Sequence, residues 1–300
     1  MWLKKWLEKH MTAWLTKDRD LDSTIPPCDF DQLIYEIKPS DVLLIEGRSR
    51  VSNVIKVVTQ SPWTHSAIYI GRLVDIEDEH IRRNVQRHYD GDENKPLVLE
   101  ALMGKGTIIK PIDDYNEDHV RICRPKGLSR KDAQLVIGYT TRHLGCEYNV
   151  RQLLDLARFL FPYSILPRRW RSTLFQHNAG APTRTVCSSL IAAAFASVHF
   201  PILPVIQKRK NGELKFFKRN FRLYTPADFD YSPYFEILKF PYLGLQELGV
   251  YRKLPWDETN MLCNGKDDCY VSPEYFSKPK QKSEKEMIQD LMQPDLKSGS

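Results

Sequence analysis

Read at about 100° per residue, Trp2, Leu3, Trp6, Leu7, Met11, Trp14 and Leu15 share one broad helical face, while Lys5, Glu8, Lys9, Thr12 and Thr16 gather opposite. This pattern predicts an amphipathic helix over residues 1–21. Residues 22–37 carry Pro26-Pro27 and read as a linker. Short apolar runs bounded by turn residues then predict strands at residues 41–47, 65–71, 97–101, 106–111 and 119–124. A short helix over 52–59, ended by Ser61-Pro62, interrupts the first two. The charged stretch 75–95 has little periodicity and is expected to be a solvated insertion or hairpin tip, with Asp90-Gly91 as a turn signal.

From Ser129, a candidate N-cap, the spacing becomes helical, with Ala133, Val136, Ile137, Thr140 and Leu144 on one face and Gly145 closing the helix. A second helical segment runs over 151–161 to Pro162, and a third begins at Cys187. The apolar stretch 186–206 is too broken to cross a bilayer, because Ser188, Ser189, Ser197 and His199 interrupt it and Pro201 and Pro204 stop its helix. Residues 208–222 predict a basic hairpin turned at Asn211-Gly212, and Thr225-Pro226 opens a last short element. Past Tyr231 the periodicity is lost. Strands followed by helices indicate an α+β fold. The domain reading is therefore a catalytic or binding domain over 38–232, an extension over 233–277 and a mobile tail over 278–300.

Composition changes this picture little. With 300 residues, 42% of them hydrophobic, the chain can bury a large core. A net charge of +6 permits contact with anionic lipid, cell-wall polymer or nucleic acid without requiring any of them. The basic segment 208–222 interleaves Lys and Arg with Phe216, Phe217 and Phe221, which fits an anionic membrane surface or an ordinary solvated face; no motif of specific nucleic-acid binding accompanies it. The tryptophan-lysine helix within 2–17 suits a membrane interface or packing against protein equally. Lys4, Lys5, Glu8 and Lys9 break up the apolar core that a secretory signal needs, so a cytoplasmic location, peripheral to membrane if that helix docks there, is expected. The six cysteines form no CxxC pair and no zinc-ligand spacing, and no metal or cofactor is expected. Cys263 and Cys269 could close a small loop, although the missing secretory signal weighs against a disulfide there.

Candidate chemistry converges on Cys187. It starts an apolar helix, where the dipole favours thiolate. A thiol nucleophile needs an imidazole and a group that orients it. Among the eight histidines, His65 stands at the start of a clear strand directly after a Ser-Pro-Trp-Thr turn, where its side chain can project from the sheet rim. Glu100 sits late in an apolar strand, an odd place for a carboxylate without a partner. If the two strands are antiparallel neighbours, the pair can form. A structural ion pair is the plainer explanation of the same residues.

The order of Asp41-Val-Leu-Leu, Thr64-His65-Ser66-Ala67-Ile68-Tyr69-Ile70-Gly71, Val98-Leu99-Glu100-Ala101, Gly145-Cys146-Glu147-Tyr148 and Val186-Cys187-Ser188-Ser189-Leu190 resembles the circularly permuted papain-like amidases. These are the YiiX-like branch of the NlpC superfamily, related to the lecithin:retinol acyltransferase-like enzymes. In this branch the cysteine helix follows the histidine strand. The resemblance implies a small antiparallel barrel or sheet packed on the nucleophile helix. It also implies Cys187 as nucleophile, His65 as base and then acid, Glu100 as orienter, Tyr148 lining the substrate site and the Cys187 N–H in an oxyanion hole. The implied activity is a cysteine hydrolase or acyl transferase working through a thioester on a peptide or cell-wall amide or an acyl lipid. A catalytically silent lipid- or peptide-binding module on the same scaffold is the alternative.

Overall fold

The computed structural model describes residues 28–102, 104–148, 184–185, 187–241, 243–244, 248–254, 256, 261–265 and 268–271. The predicted N-terminal helix, the helix expected over 151–161 and the tail from 278 lie outside the described residues. The chain divides into two units, Met1–Gly244 and Leu245–Ser300.

The first unit is built on six strands, β1 (Val42–Glu46), β2 (His65–Gly71), β3 (Leu97–Leu102), β4 (Gly106–Pro111), β5 (His119–Pro125) and one further strand, Phe235–Leu238. The sheet order is Phe235–Leu238, β5, β1, β2, β3, β4, every pairing is antiparallel, and the sheet is open rather than closed into a barrel. Apolar runs such as Val42-Leu43-Leu44-Ile45 arise because both faces of the sheet are covered. Val42, Leu44, Ile68, Ile70, Leu97 and Leu99 enter one buried cluster, and Leu43, Ile45, Ala67, Tyr69 and Val98 enter another.

Helix α1 (Phe30–Glu36) covers the second face. Its N-cap Asp29 accepts from the Gln32 N–H, and Leu33 is fully buried. The predicted linker over 22–37 is thus helical from Phe30 on. Helix α2 (Arg50–Thr59) follows β1 as expected, capped by Ser49. Helix α3 (Glu79–Gln86) occupies the stretch read as a solvated insertion. Asp78 accepts from the His80 and Ile81 N–H groups at 2.8 and 3.1 Å, and Val85 is buried. It lies against α4 (Arg130–Thr141) at Gly138, where an added Cβ would meet Ile81 Cδ1 at 2.8 Å. Glycine in that helix interior therefore gives up propensity for close approach.

After the two-residue strands β6 (Glu147–Tyr148) and β7 (Arg184–Thr185), helix α5 (Cys187–Ser197) places Leu190, Ile191, Ala194 and Phe195 in the first core. The basic hairpin forms as β8 (Val205–Lys208) and β9 (Leu214–Phe217), with Gly212 at φ 89° in its turn. Helix α6 (Ala227–Tyr231) is the short element expected after Thr225. The sixth sheet strand, β10 (Phe235–Leu238), pairs with β5 beyond the predicted domain end at 232. Phe235 meets Phe195, Phe200 and Phe229 edge-on with centroids 5.4, 5.4 and 5.8 Å apart, so this strand closes the core of the first unit. Within the second unit, β11 (Met261–Gly265) pairs with β12 (Asp268–Val271), and Cys263 and Cys269, direct cross-strand partners, are disulfide-bonded against the sequence expectation. No described helix is long and apolar enough to cross a membrane.

Phe195 is fully buried within the aromatic cluster, against Phe200 and Phe235. Phe195→Ala is expected to lower the unfolding free energy by about 3–5 kcal/mol, read as a shifted midpoint in chemical denaturation.

Candidate active site

The site lies at one end of the sheet. His65 opens β2 directly opposite Ile45 of β1. The turn before it is held by the Gly47 N–H donating to Thr64 Oγ1 at 2.9 Å. A Cβ on Gly47 would fall 2.4 Å from Ser52 Oγ and 2.8 Å from Thr64 Oγ1, so this close approach needs glycine. The pairings Ile68↔Leu99 and Tyr69↔Val98, continued along the strands, set Glu100 beside Ala67 and diagonal to His65 on the same face. There His65 Nε2–H donates to Glu100 Oε2, which leaves Nδ1 free to face the sulfur.

Cys187, 5% exposed, starts α5 and packs on Ala101 of β3. His65 lies beside its sulfur, and the imidazole and the Ser66 backbone both act on the thiol. The neighbouring Ser188 hydroxyl donates to the Tyr224 carbonyl at 2.6 Å and fixes the first turn of the helix. The structure thus brings together Cys187, His65 and Glu100, three residues that the sequence places far apart.

Charge follows from this geometry. Burial opposes the imidazolium of His65, but the Cys187 sulfur and the Glu100 carboxylate outweigh it and push its pKa up to about 10. Burial would likewise raise the Cys187 thiol, yet the charge and hydrogen bond of His65 hold it below the ordinary thiol range, helped by Ser66. Glu100 has no solvent exposure. Against that desolvation, His65, Lys110 and Tyr115 draw its pKa down to about 2. These shifts all act in the direction that favours a thiolate–imidazolium pair backed by a carboxylate.

Two supports of that carboxylate escape a reading of the sequence. Lys110 Nζ lies 3.1 Å from Glu100 Oε1, and the Tyr115 hydroxyl donates to Oε2. Burial and the neighbouring carboxylate raise the Tyr115 pKa well above its ordinary value, which keeps it a proton donor. Lys110 also sits 3.7 Å from the centre of the Tyr115 ring, binding the two supports to each other. The available signals were slight: a lysine paired with buried Val98 across β4, and a tyrosine in the 3-10 turn Ile112–Tyr115.

Tyr148 reaches the same end of the fold by its backbone. It pairs with Thr185 in a parallel bridge two residues before Cys187, and the adjoining Gly145 and Cys146 hydrogen-bond to Thr107 of β4. Its side chain lies outside the described residues. Two other histidines serve locally, since His88 and His143 each hydrogen-bond through Nδ1 to a carbonyl one helical turn back at 2.9 Å. His119 begins β5 and pairs with Glu46, which also binds Lys56 at 2.7 Å, forming a charged rim beside the His65 end of the sheet. No group of three or more His, Cys, Asp or Glu side chains suited to a metal ion occurs among the described residues.

Removing the Glu100 charge should weaken the imidazolium of His65 and so raise the Cys187 pKa. In Glu100→Gln the acid limb of Cys187 alkylation by iodoacetamide, followed by mass spectrometry, is expected to move about half to one pH unit upward. An unmoved limb in that variant would disprove the coupling.

Comparison with known proteins adds to the geometry. No curated protein matches the chain. A crystal structure described as metalloprotein yiiX from Escherichia coli O157:H7 is similar at 16% identity and a TM-score of 0.41, over 69% of this chain and 98% of that one. The family of permuted papain-like amidase enzymes, YaeF/YiiX, matches residues 36–158, a span that includes His65 and Glu100 and ends before Cys187. Over residues 36–158, therefore, the chain carries the signature of the permuted papain-like amidases, the family that the order of its histidine strand and cysteine helix resembles.

Proposed function

We propose that the chain is a cysteine-dependent amide hydrolase. The reading rests on one observation, the placing of Cys187 at the start of α5 beside the His65 imidazole, which is hydrogen-bonded from behind by Glu100. The family signature favours an amide carbonyl, from a peptide or cell-wall polymer, over an ester.

The Cys187 thiolate adds to the carbonyl carbon, and the negative charge moves to the carbonyl oxygen. The Cys187 N–H at the helix start points at that oxygen and stabilises it. His65 passes its proton to the nitrogen, the carbon–nitrogen bond breaks, the amine leaves and a thioester remains. Neutral His65 then takes a proton from water, whose oxygen attacks the thioester. Collapse releases a carboxylic acid and restores the thiolate and the imidazolium. Glu100 takes no proton; it holds the imidazole with Nδ1 toward the sulfur and stabilises its charge. Tyr148 lines the substrate channel in this scheme. The pairing of a charged, ordered triad with a buried cysteine favours catalysis over a silent binding module.

Because the active form is the ion pair, the rate should be bell-shaped in pH. It rises as Cys187 deprotonates, below the usual thiol range, and falls as His65 loses its proton near pH 10. Glu100→Gln lowers the His65 pKa and should bring the alkaline limb down. Cys187→Ala should reduce turnover of a peptide amide by at least about 10³-fold and abolish acylation of the protein by an activated acyl probe. Acylation at full strength in that variant would sink the proposal. Mass analysis of the product, free acid against an adduct of an added amine or alcohol, separates hydrolysis from acyl transfer.

A further inference from the structure

Strands β8 and β9 form a hairpin whose every residue is exposed, and Val205, Ile206, Leu214, Phe216 and Phe217 are between 38 and 59% exposed. A two-stranded hairpin with both faces in water is marginal by itself, and exposed aliphatic and aromatic side chains packed this densely call for a partner. Ile206 lies opposite Phe216 and Val205 opposite Phe217, so apolar cross-strand pairs occur on both faces rather than alternating with charge.

The electrostatics restrict the partner. Over residues 205–222, Lys and Arg recur on the strands, in the turn and beyond it, and Glu213 is the sole acid. The hairpin is fixed at its base: Lys218 Nζ donates to the Ala196 carbonyl at the C-terminal end of α5 at 2.7 Å, and Arg219 binds Asp228 at 2.8 Å. Its tip, Lys208 to Leu214, stands clear of the core with its cations in water. Between α5 and the hairpin lies a cavity of about 540 Å³, walled by Ala192, Ala196, Phe200 and Phe216 and bordered by Lys218 and Arg219. Apolar walls with a cationic border suit an amphiphile with a negative head.

We infer that the hairpin β8–β9 docks on an anionic lipid bilayer, its cations meeting the headgroups and Ile206, Leu214, Phe216 and Phe217 entering the interface. Nucleic acid would satisfy the charge but not the aliphatic residues, which have no base to stack on. The surface lies at the opposite end of α5 from Cys187 and does not depend on the catalytic reading.

The test is co-sedimentation of the full chain with phosphatidylcholine vesicles with and without phosphatidylserine. Binding is expected only with the anionic lipid and should weaken as salt rises. Two variants probe separate forces. Lys208→Glu with Lys215→Glu removes charge, Phe216→Ser with Phe217→Ser removes apolar area, and each is expected to lower affinity at least about tenfold while the circular dichroism spectrum is kept. Cys187→Ala should bind like the unaltered chain, which separates this proposal from the catalytic one. Undiminished binding in both hairpin variants would assign the lipid contact to another segment and overturn the inference. So would an absence of vesicle binding, or retention on single-stranded RNA in its place.

Discussion

A carboxylate with no access to water, Glu100, is the constraint on which the rest of the site depends. Left alone it would cost several kcal/mol or take up a proton. Its oxygens instead meet His65, Tyr115 and Lys110, contributed by β2, by the turn after β4 and by β4. Satisfying one buried charge thus requires both neighbours of β3, strand β2 and the edge strand β4, to be in place. The charge on His65 follows, and the depressed Cys187 pKa follows from that. The shift in the Cys187 thiol is therefore set by folding.

The same logic explains why the sheet is sandwiched rather than exposed on one side. Helix α5 has to bring Cys187 over the end of β2 and β3, and it does so by burying Leu190, Ile191 and Phe195 on one sheet face. The Glu100 ion pair lies on the other face, where α1 and the residues around Tyr115 exclude water. Cys187 and His65 meet at the rim where the two layers come together.

Much of this was legible in the residues. His65 directly after a proline-containing turn, an acid inside an apolar strand and a cysteine before a run of alanines each break a local pattern, and all three are found in one site. The supports Lys110 and Tyr115 were not legible, because their value depends on strand register and on a single 3-10 turn. Helix α1 was hidden by the neighbouring Pro26-Pro27, although Asp29 followed by Phe30, Leu33, Ile34 and Ile37 has helical spacing. In α3, charges mask a stripe reduced to Ile81 and Val85. At four residues, β10 is too short for alternation to show, and only its pairing with β5 makes it a strand. For Cys263 and Cys269 the sequence offers only a compartment argument, whereas cross-strand placement decides whether two sulfurs can meet.

The two-sided burial of the sheet has a consequence for folding fidelity. Where one face is wet, sliding a strand by one residue throws its apolar side chains into solvent, and hydrophobicity alone rejects the error. Here both faces are oily, and β1, reading Val-Leu-Leu-Ile, would be nearly as content inside out. For β2 and β3 the polar residues distinguish the alternatives: a one-step slip of either strand would set Glu100 and His65 on opposite sides of the sheet and part their ion pair. The residues arranged for chemistry also act as the proofreading element of the fold, and removing them should leave the sheet freer to mispair as it assembles.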